Sequence, residues 1–251
     1  MEKRLDFLLY GKYALFTDPV TKIGGEKCSY HLPTYEALKG VARSIYWKPT
    51  FIWVIERVRV LKPIKTQSKN IKTLKYNSGN SDLSIYNYLW DVAYQVQARM
   101  EWNPQRPDLA HDRIKAKHFS MAQRSLEKGG RQDVFLGTRE CQGYVEPCTY
   151  GEGQGYYDNI PELAFGLMFR NFSYPSETGG DDFCSHFWYP VMKNGEVIFT
   201  PPDSSIRTKF IRKMKPYYPQ LAIEGDRGLA ACYSCEEDCK LYQPSLGETT
   251  L

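Results

Sequence analysis

The chain contains no uninterrupted apolar run of about 18 residues, the length that a membrane-spanning helix needs. Its amino terminus, Met1–Asp6, carries charges where a secretory signal peptide needs a long apolar stretch. The seven cysteines are an odd number scattered over 251 residues, which does not suit a disulfide framework. We therefore expect a cytoplasmic protein with no membrane partner.

Several common catalytic patterns are also missing. No Ser, His and Asp stand in the context of a hydrolase triad, and no cysteine has the context of a nucleophile. Gly180-Asp181-Asp182 lacks the partner carboxylates that a two-metal nuclease needs. The glycine-rich segment Tyr150–Tyr157 does not match a phosphate-binding loop between a strand and a helix.

A short cysteine cluster near the carboxyl terminus has half of a zinc pattern. Cys232, Cys235 and Cys239 are suitably spaced, but no His or Cys follows them. Cys148 or Cys184 would have to complete the site, and nothing in the pattern requires either. We predict no metal site and no cofactor. A zinc-dependent nuclease is the alternative, and a chelator would inhibit it.

The net charge is small, but the basic residues are unevenly placed. The 33 Lys and Arg against 29 Asp and Glu give +4, which alone does not identify a polyanion-binding protein. Between Arg57 and Lys75, however, there are seven basic residues and no acidic one, and a second basic cluster follows at 207–215. Such segments suit a phosphate backbone, and the 36 aromatic residues (19 Tyr, 12 Phe and 5 Trp) offer faces for unpaired bases. A solvated surface loop is the simpler alternative for a single basic run.

The predicted elements follow the order β-α-β-β-α-β. Apolar and β-branched residues predict strands at 5–16, 51–61, 89–102 and 134–145. Helical spacing predicts helices at 34–47, with Thr34 as the N-cap, and at 109–128, where Gly129-Gly130 ends the helix. This order predicts an α+β, ferredoxin-like (RRM-like) fold with two helices on one face of an antiparallel sheet.

The second half of the chain reads as a smaller β-rich region. Lys193-Asn194-Gly195-Glu196 between apolar flanks predicts a two-residue hairpin turn. We expect a ferredoxin-like domain with the catalytic site at 1–146 and a small antiparallel β-rich region at 147–225. An acidic, cysteine-containing flexible tail is expected at 226–251.

His118 is the histidine with basic surroundings, which include Lys117. Cleavage of RNA by internal transesterification needs a base for the 2′-OH, an acid for the departing 5′-oxygen and a cation for the phosphorane. A His beside a Lys supplies these functions without a metal. Tyr46, at the end of the first helix, lies on the same sheet face in a β-α-β-β-α-β fold and is able to approach the pair. Taken alone, a surface position for His118 and a packing position for Tyr46 are the simpler interpretations.

Longer stretches carry a family resemblance. Met121–Arg131 running into Phe135–Cys141, together with Leu8–Pro19, Ser29-Tyr30 and Pro33–Ala37, resembles the type I-C (Dvulg) subtype of the Cas5 family of CRISPR-associated proteins. The matches fall in order and extend to about residue 225.

The resemblance implies a RAMP-type endoribonuclease. Such a protein binds the hairpin of the precursor CRISPR RNA repeat and cuts at its 3′ base without a metal, leaving a 2′,3′-cyclic phosphate and a 5′-OH. It then remains with the other subunits of a type I-C Cascade complex, where duplex DNA is a further candidate partner. The catalytic Tyr, Lys and His of the family fall on Tyr46, Lys117 and His118.

Further basic residues are candidates for positioning the RNA rather than reading its sequence. They are Arg57, Arg59, Lys62, Lys65 and Arg139. The main alternative function is a non-catalytic subunit that holds the 5′ handle of the guide RNA. A third is a general nucleic-acid-binding module without preference for the repeat hairpin.

Overall fold

The computed structural model describes residues 3–74, 79–199 and 206–216. Within these ranges the chain is an α+β protein with mostly antiparallel sheet and few helices. The helices are α1 (Tyr35–Ile45), α2 (Lys115–Glu127) and α3 (Pro175–Thr178), with 3-10 segments at Thr21–Gly24 and Pro107–Asp112. The strands are β1 (Arg4–Ala14), β2 (Phe51–Val60), β3 (Thr66–Leu74), β4 (Ser81–Trp102), β5 (Val134–Phe135), β6 (Gln142–Pro147), β7 (Leu163–Ala164), β8 (Met168–Ser173), β9 (Asp182–Trp188), β10 (Val191–Lys193), β11 (Glu196–Ile198) and β12 (Arg207–Lys213).

One large sheet dominates the described part of the chain. Its strand order is β5-β6-β1-β4-β2-β11-β10-β7, and β3 pairs with β4 outside this path. A second sheet has the order β12-β9-β8. Because β11 pairs with β2 through Val197 and Val58, strands from the second half extend the sheet of the first half. The sheet therefore continues across the boundary expected near residue 146, and the division into regions stays a prediction.

The core lies between the large sheet and the two long helices. Alternate residues of β1 (Leu5, Phe7 and Leu9) are buried because successive side chains of a strand point to opposite faces. Helix α1 places Leu38 and Ile45 in the same core. Its N-cap is Thr34, as predicted. The hydroxyl oxygen of this residue accepts a hydrogen bond from the amide of Ala37 at 3.2 Å.

The observed elements differ from the predicted ones in several places, and the strand predicted at 89–102 begins earlier, at Ser81, as β4. The basic segment after Lys62 contains β3, whose two faces are both largely exposed and therefore show no apolar alternation. The strand predicted at 134–145 is a hairpin of β5 and β6, in which the Leu136 amide donates to the Cys141 carbonyl at 2.8 Å. The helix predicted at 109–128 is divided, because Arg113 and Ile114 have non-helical backbone angles and α2 begins only at Lys115.

Two turn predictions are confirmed. Asn194 and Gly195 have φ values of 48° and 79°, as a two-residue hairpin turn between β10 and β11 requires. Helix α2 ends before Gly129 and Gly130, whose φ values of 81° and 102° lie in the left-handed region. The cysteine cluster at 232–239 and the expected tail at 226–251 lie outside the described residues.

Candidate active site

The position of Tyr46 is set by the way in which α1 ends. The helix stops at Ile45, and Tyr46 adopts extended backbone angles while its amide still donates to the carbonyl of Ala42 at 3.1 Å. The indole nitrogen of Trp53 on β2 donates to the Tyr46 carbonyl at 2.7 Å. These two hydrogen bonds fix the backbone of Tyr46 between the helix and the sheet.

The structure brings Tyr46 and His118 together. The Tyr46 hydroxyl lies 2.9 Å from Nδ1 of His118, and both residues are 0% exposed. The Phe51 ring packs against both, with centroid distances of 5.7 Å to Tyr46 and 5.4 Å to His118. Leaving a buried polar group without a partner costs about 1–3 kcal/mol, so this hydrogen bond stabilises the fold as well as the site.

The protonation pattern of neutral His118 follows from its other ring nitrogen. Nε2 lies 2.7 Å from the backbone carbonyl oxygen of Asp112, which only accepts hydrogen bonds. Nε2 therefore carries the proton, and Nδ1 accepts a hydrogen bond from Tyr46. When the ring is doubly protonated, Nδ1 donates to Tyr46 instead, and the phenol hydrogen turns to the sulfur of Met121 at 3.5 Å.

Asp112 links the two basic members of the site. Its Oδ1 accepts from Lys117 Nζ at 2.7 Å, and its Oδ2 accepts from the Thr50 hydroxyl at 2.9 Å. Oδ2 also lies 3.3 Å from Nε2 of His118, which makes an ion pair when the imidazole is protonated. Lys117, His118 and Tyr46 thus form one connected network through a carboxylate that the sequence patterns did not identify.

The surroundings shift the pKa values of two members of the network. Burial raises the pKa of the Tyr46 phenol above its usual value, and the Asp112 carboxylate raises it further against a smaller effect of Arg131. Burial also favours a higher pKa for Asp112. The hydrogen bonds from Lys117 and Thr50 and the nearby His118 outweigh it, so the pKa of this carboxyl lies below its usual value. At neutral pH the phenol is therefore protonated and the carboxylate is charged.

Access to solvent is unequal within this network. The Lys117 side chain is 50% exposed, whereas that of His118 is 1% exposed beneath the Asp112 segment. Lys117 is therefore able to meet a phosphate directly once it leaves Asp112. His118 reaches a substrate only after the carbonyl of Asp112 moves away from Nε2.

Arg59, expected as an RNA contact, is instead committed to the protein interior. Its guanidinium binds Asp158 at 2.6 and 3.1 Å, the Gln95 side chain, and the carbonyls of Glu152 and Gly153. The side chain of Arg59 is 7% exposed. This residue fastens the glycine-rich loop to β2, and its donors are occupied.

The other four predicted cations are not gathered at the Tyr46–His118 pair. Arg57 is on the sheet face opposite the helices, where it donates to Gln97 and lies over the Tyr150 ring. Lys62 pairs with an aspartate, and the exposed Lys65 lies 5.6 Å from the Trp90 ring centroid. Arg139 is exposed in the turn between β5 and β6.

Sequence patterns missed three groups around the pair. Asp112 was expected inside a helix, Thr50 follows a proline and carries no motif, and Phe51 reads as an ordinary strand residue. An acidic residue shortly before a basic helix start was the one available signal for Asp112.

The described residues contain neither a cluster of metal ligands nor a membrane-spanning helix. In residues 3–74, 79–199 and 206–216, no three His, Cys, Asp or Glu side chains group as a metal site. No helix in the part of the chain that the structure describes is long and apolar enough to cross a membrane.

Comparison with known proteins identifies the family. A family model described as a CRISPR-associated protein (Cas_Cas5) matches residues 5–200. The chain belongs to the Cas5 family. It is a Cas5 protein of type I-C, as the resemblance of its sequence segments implied.

Relatives of this Cas5 chain are known as sequences and as structures. It is 30% identical over 233 residues to a protein of Mannheimia succiniciproducens named CRISPR pre-crRNA endoribonuclease Cas5d, covering 80% of this chain and 96% of that protein. A Thermus thermophilus protein of the same name is 30% identical over 153 residues, which cover 57% of this chain and 64% of that protein. A solved structure titled Crystal Structure of CRISPR-associated Protein superposes with a TM-score of 0.70 at 34% identity, covering 83% of this chain and 97% of the other.

Proposed function

We propose that this Cas5 chain is a metal-independent endoribonuclease that cuts precursor CRISPR RNA at the 3′ base of the repeat hairpin. The reaction is an attack of the 2′-oxygen on the adjacent phosphorus, with departure of the 5′-oxygen. It leaves a 2′,3′-cyclic phosphate and a 5′-OH. The observation that carries the proposal is the hydrogen bond of 2.9 Å between Tyr46 and His118, joined through Asp112 to Lys117. The pre-crRNA endoribonuclease names of the relatives support it.

In the proposed mechanism His118 is the acid that protonates the departing 5′-oxygen. Once the Asp112 carbonyl has moved away, protonated Nε2 donates its proton to the 5′-oxygen as the P–O bond breaks, and the proton of the attacking 2′-OH passes to solvent water. The Asp112 carboxylate at 3.3 Å stabilises the imidazolium before this transfer. Lys117, the exposed cation, stabilises the negative charge of the phosphorane.

Tyr46 is assigned an orienting role. The raised pKa of its phenol keeps the proton on oxygen at neutral pH, which disfavours Tyr46 as the base for the 2′-OH. A protonated phenol holds the ring of His118 in place through Nδ1. Such positioning contributes to catalysis because a misplacement of about 1 Å can lower a rate about 10²-fold.

The fold and the partners complete the proposal. The order β6-β1-β4-β2 within the large sheet, antiparallel throughout, supports a ferredoxin-like core. We propose that the product RNA stays bound with the other subunits of a type I-C Cascade complex, and that duplex DNA is a second ligand of that complex. Arg57, Lys62, Lys65 and Arg139 remain the candidate phosphate contacts.

One observation favours the second candidate, a non-catalytic subunit that holds the 5′ handle of the guide RNA. Tyr46 and His118 are fully buried, as expected of residues with a purely structural role. The two functions differ in whether the purified chain by itself cuts a repeat RNA.

The deciding experiment incubates the pure protein with its cognate repeat RNA, with and without excess EDTA, and maps both product ends. We expect the same cut in both conditions, with a cyclic phosphate and a 5′-OH. A 2′-deoxy nucleotide before the scissile phosphate should abolish cutting and leave binding nearly normal. Wild-type cleavage by His118→Ala would remove the assigned role of His118, and activity that EDTA abolishes would favour a metal mechanism.

A further inference from the structure

A cleft lies beside the Tyr46–His118 pair, between the end of α1, the start of β2 and the short helix α3. Its volume is about 350 Å³, and its lining residues include Trp47, Arg43 and Phe51. Clefts that hold small ligands have volumes of roughly 300–1,000 Å³. This cleft therefore suits one nucleotide and not a nucleic-acid duplex.

An aromatic face is available at the edge of the cleft. Trp47 follows Tyr46 in the chain and is 40% exposed, which is a large fraction for a tryptophan. The guanidinium carbon of Arg43, four residues earlier on α1, lies 5.1 Å from the centre of the Trp47 ring. Tryptophan beside arginine is a combination that binds unpaired bases, because the ring stacks on a base and the cation meets a phosphate.

Arg43 is the lining cation that remains free to meet a phosphate. Lys39 is held by both oxygens of Glu177, at 2.6 and 2.8 Å, and Arg106 is held by Asp108 at 2.7 Å. Among the residues that the structure describes, no carboxylate lies within ion-pair distance of Arg43. The lining contains three cationic side chains and one carboxylate, so its charge also favours an anionic ligand.

The cleft and the Tyr46–His118 pair share one wall. Phe51 is one of the residues that line the cleft, and its buried ring contacts Tyr46 and His118 at centroid distances of 5.7 and 5.4 Å. A nucleotide in the cleft is thus one residue, Phe51, away from the pair, which makes it a neighbour of the nucleotide at the cut.

We propose that this cleft binds one unpaired nucleotide adjacent to the scissile phosphate, with its base stacked on Trp47 and its phosphate on Arg43. This inference rests on the proposed function and deepens it, since it assigns a subsite for the single-stranded RNA that flanks the hairpin. A paired base cannot use the site, because its faces are already stacked within the helix.

The test uses the full chain and an uncleavable repeat RNA with a 2′-deoxy nucleotide at the cut site. The fluorescent base 2-aminopurine replaces, one at a time, the two nucleotides that flank the scissile phosphate. We expect binding to quench the emission at one of the two positions. Trp47→Ala should restore the emission and weaken binding by between about 5-fold and 150-fold, the range for loss of one stacked base. Trp47→Phe should preserve most of both effects.

Tyr189→Ala is the matched control, because Tyr189 is also an exposed aromatic residue beneath an arginine, Arg207 at 5.8 Å. The Tyr189→Ala variant should bind the repeat RNA and quench the 2-aminopurine emission as the wild-type protein does. Arg43→Gln should reduce the salt dependence of binding by about one phosphate contact.

The outcomes separate this inference from the proposed function. Normal binding with unchanged emission at both positions, or with quenching that Trp47→Ala leaves intact, overturns the nucleotide subsite alone. Failure of the wild-type chain to prefer the repeat RNA over an unrelated hairpin overturns the proposed function together with the subsite.

Discussion

Replacing Tyr46 by Phe removes one oxygen from the centre of the proposed site and leaves the ring that packs on Phe51. His118 Nδ1 then has no donor, and the ring cannot reach water because the residue is fully buried. An unpaired buried acceptor costs about 1–3 kcal/mol. For a chain of this size, each kcal/mol lowers the melting temperature by about 2–4 °C, so we expect a fall of about 2–12 °C.

The same change should slow cleavage more than it weakens binding. If Tyr46 orients His118, its loss should lower the single-turnover cleavage rate about 10²-fold. The dissociation constant for the 2′-deoxy repeat RNA should stay within a few-fold of the wild-type value. Both quantities are measured at a temperature well below the melting point of the variant, so that unfolding does not contribute.

Tyr30→Phe provides the matched control. Tyr30 is also buried, and its hydroxyl oxygen accepts a hydrogen bond from the Phe169 amide at 3.2 Å, on another part of the fold. This variant should lose comparable stability and cleave at the wild-type rate. Wild-type cleavage by Tyr46→Phe, or an equal loss by Tyr30→Phe, would refute the orienting role.

Three further predictions concern the surrounding charges. Lys117→Gln should lower the cleavage rate about 10²–10³-fold with little change in affinity, whereas Lys193→Gln, at another exposed ion-paired lysine, should leave the rate unchanged. The pKa of Asp112 lies below its usual value near 3.9, because the hydrogen bonds to this carboxylate outweigh the effect of burial. The charged carboxylate therefore contributes its full stabilisation above about pH 4, and this contribution is lost as the pH falls through the folded-state pKa. Asp112→Asn should therefore show a smaller fall in urea midpoint between pH 7 and pH 3 than the wild type, and equal falls would contradict this. Arg139→Gln should lower the slope of log affinity against log salt by about one, and a slope equal to that of Lys193→Gln would exclude a phosphate contact.

Local patterns predicted the elements that hold Tyr46 but not the partner that completes the site. The apolar spacing of α1 and the Thr34 cap are short-range signals, and the structure confirms both. Asp112 enters the site because the backbone breaks at Arg113 and Ile114, so that a 3-10 segment folds back over His118. No periodicity in the sequence reports such a break.

The basic residues show a second limit of prediction from sequence, because their exposure depends on distant partners. Arg57 and Arg59 are close in sequence and equally cationic, yet Arg59 is buried against Asp158 while Arg57 is half-buried over Tyr150. The partner of Arg59 lies 99 residues away in a loop whose position depends on the whole sheet. Charge counting therefore overstates the number of cations that a polyanion can meet.

The chemical reactivity of the His118 ring reports how often the site opens. Both ring nitrogens are hydrogen-bonded and the ring is fully buried. An acylating reagent therefore reacts with His118 only while the Asp112 segment is displaced by local opening. The exposed ring of His31 in the same chain reacts at the unhindered rate and calibrates the reagent. The ratio of the two rates measures the population of the open form. A change of this ratio on addition of RNA would show that RNA binding opens the segment, whereas an unchanged ratio would show that the segment opens independently of RNA.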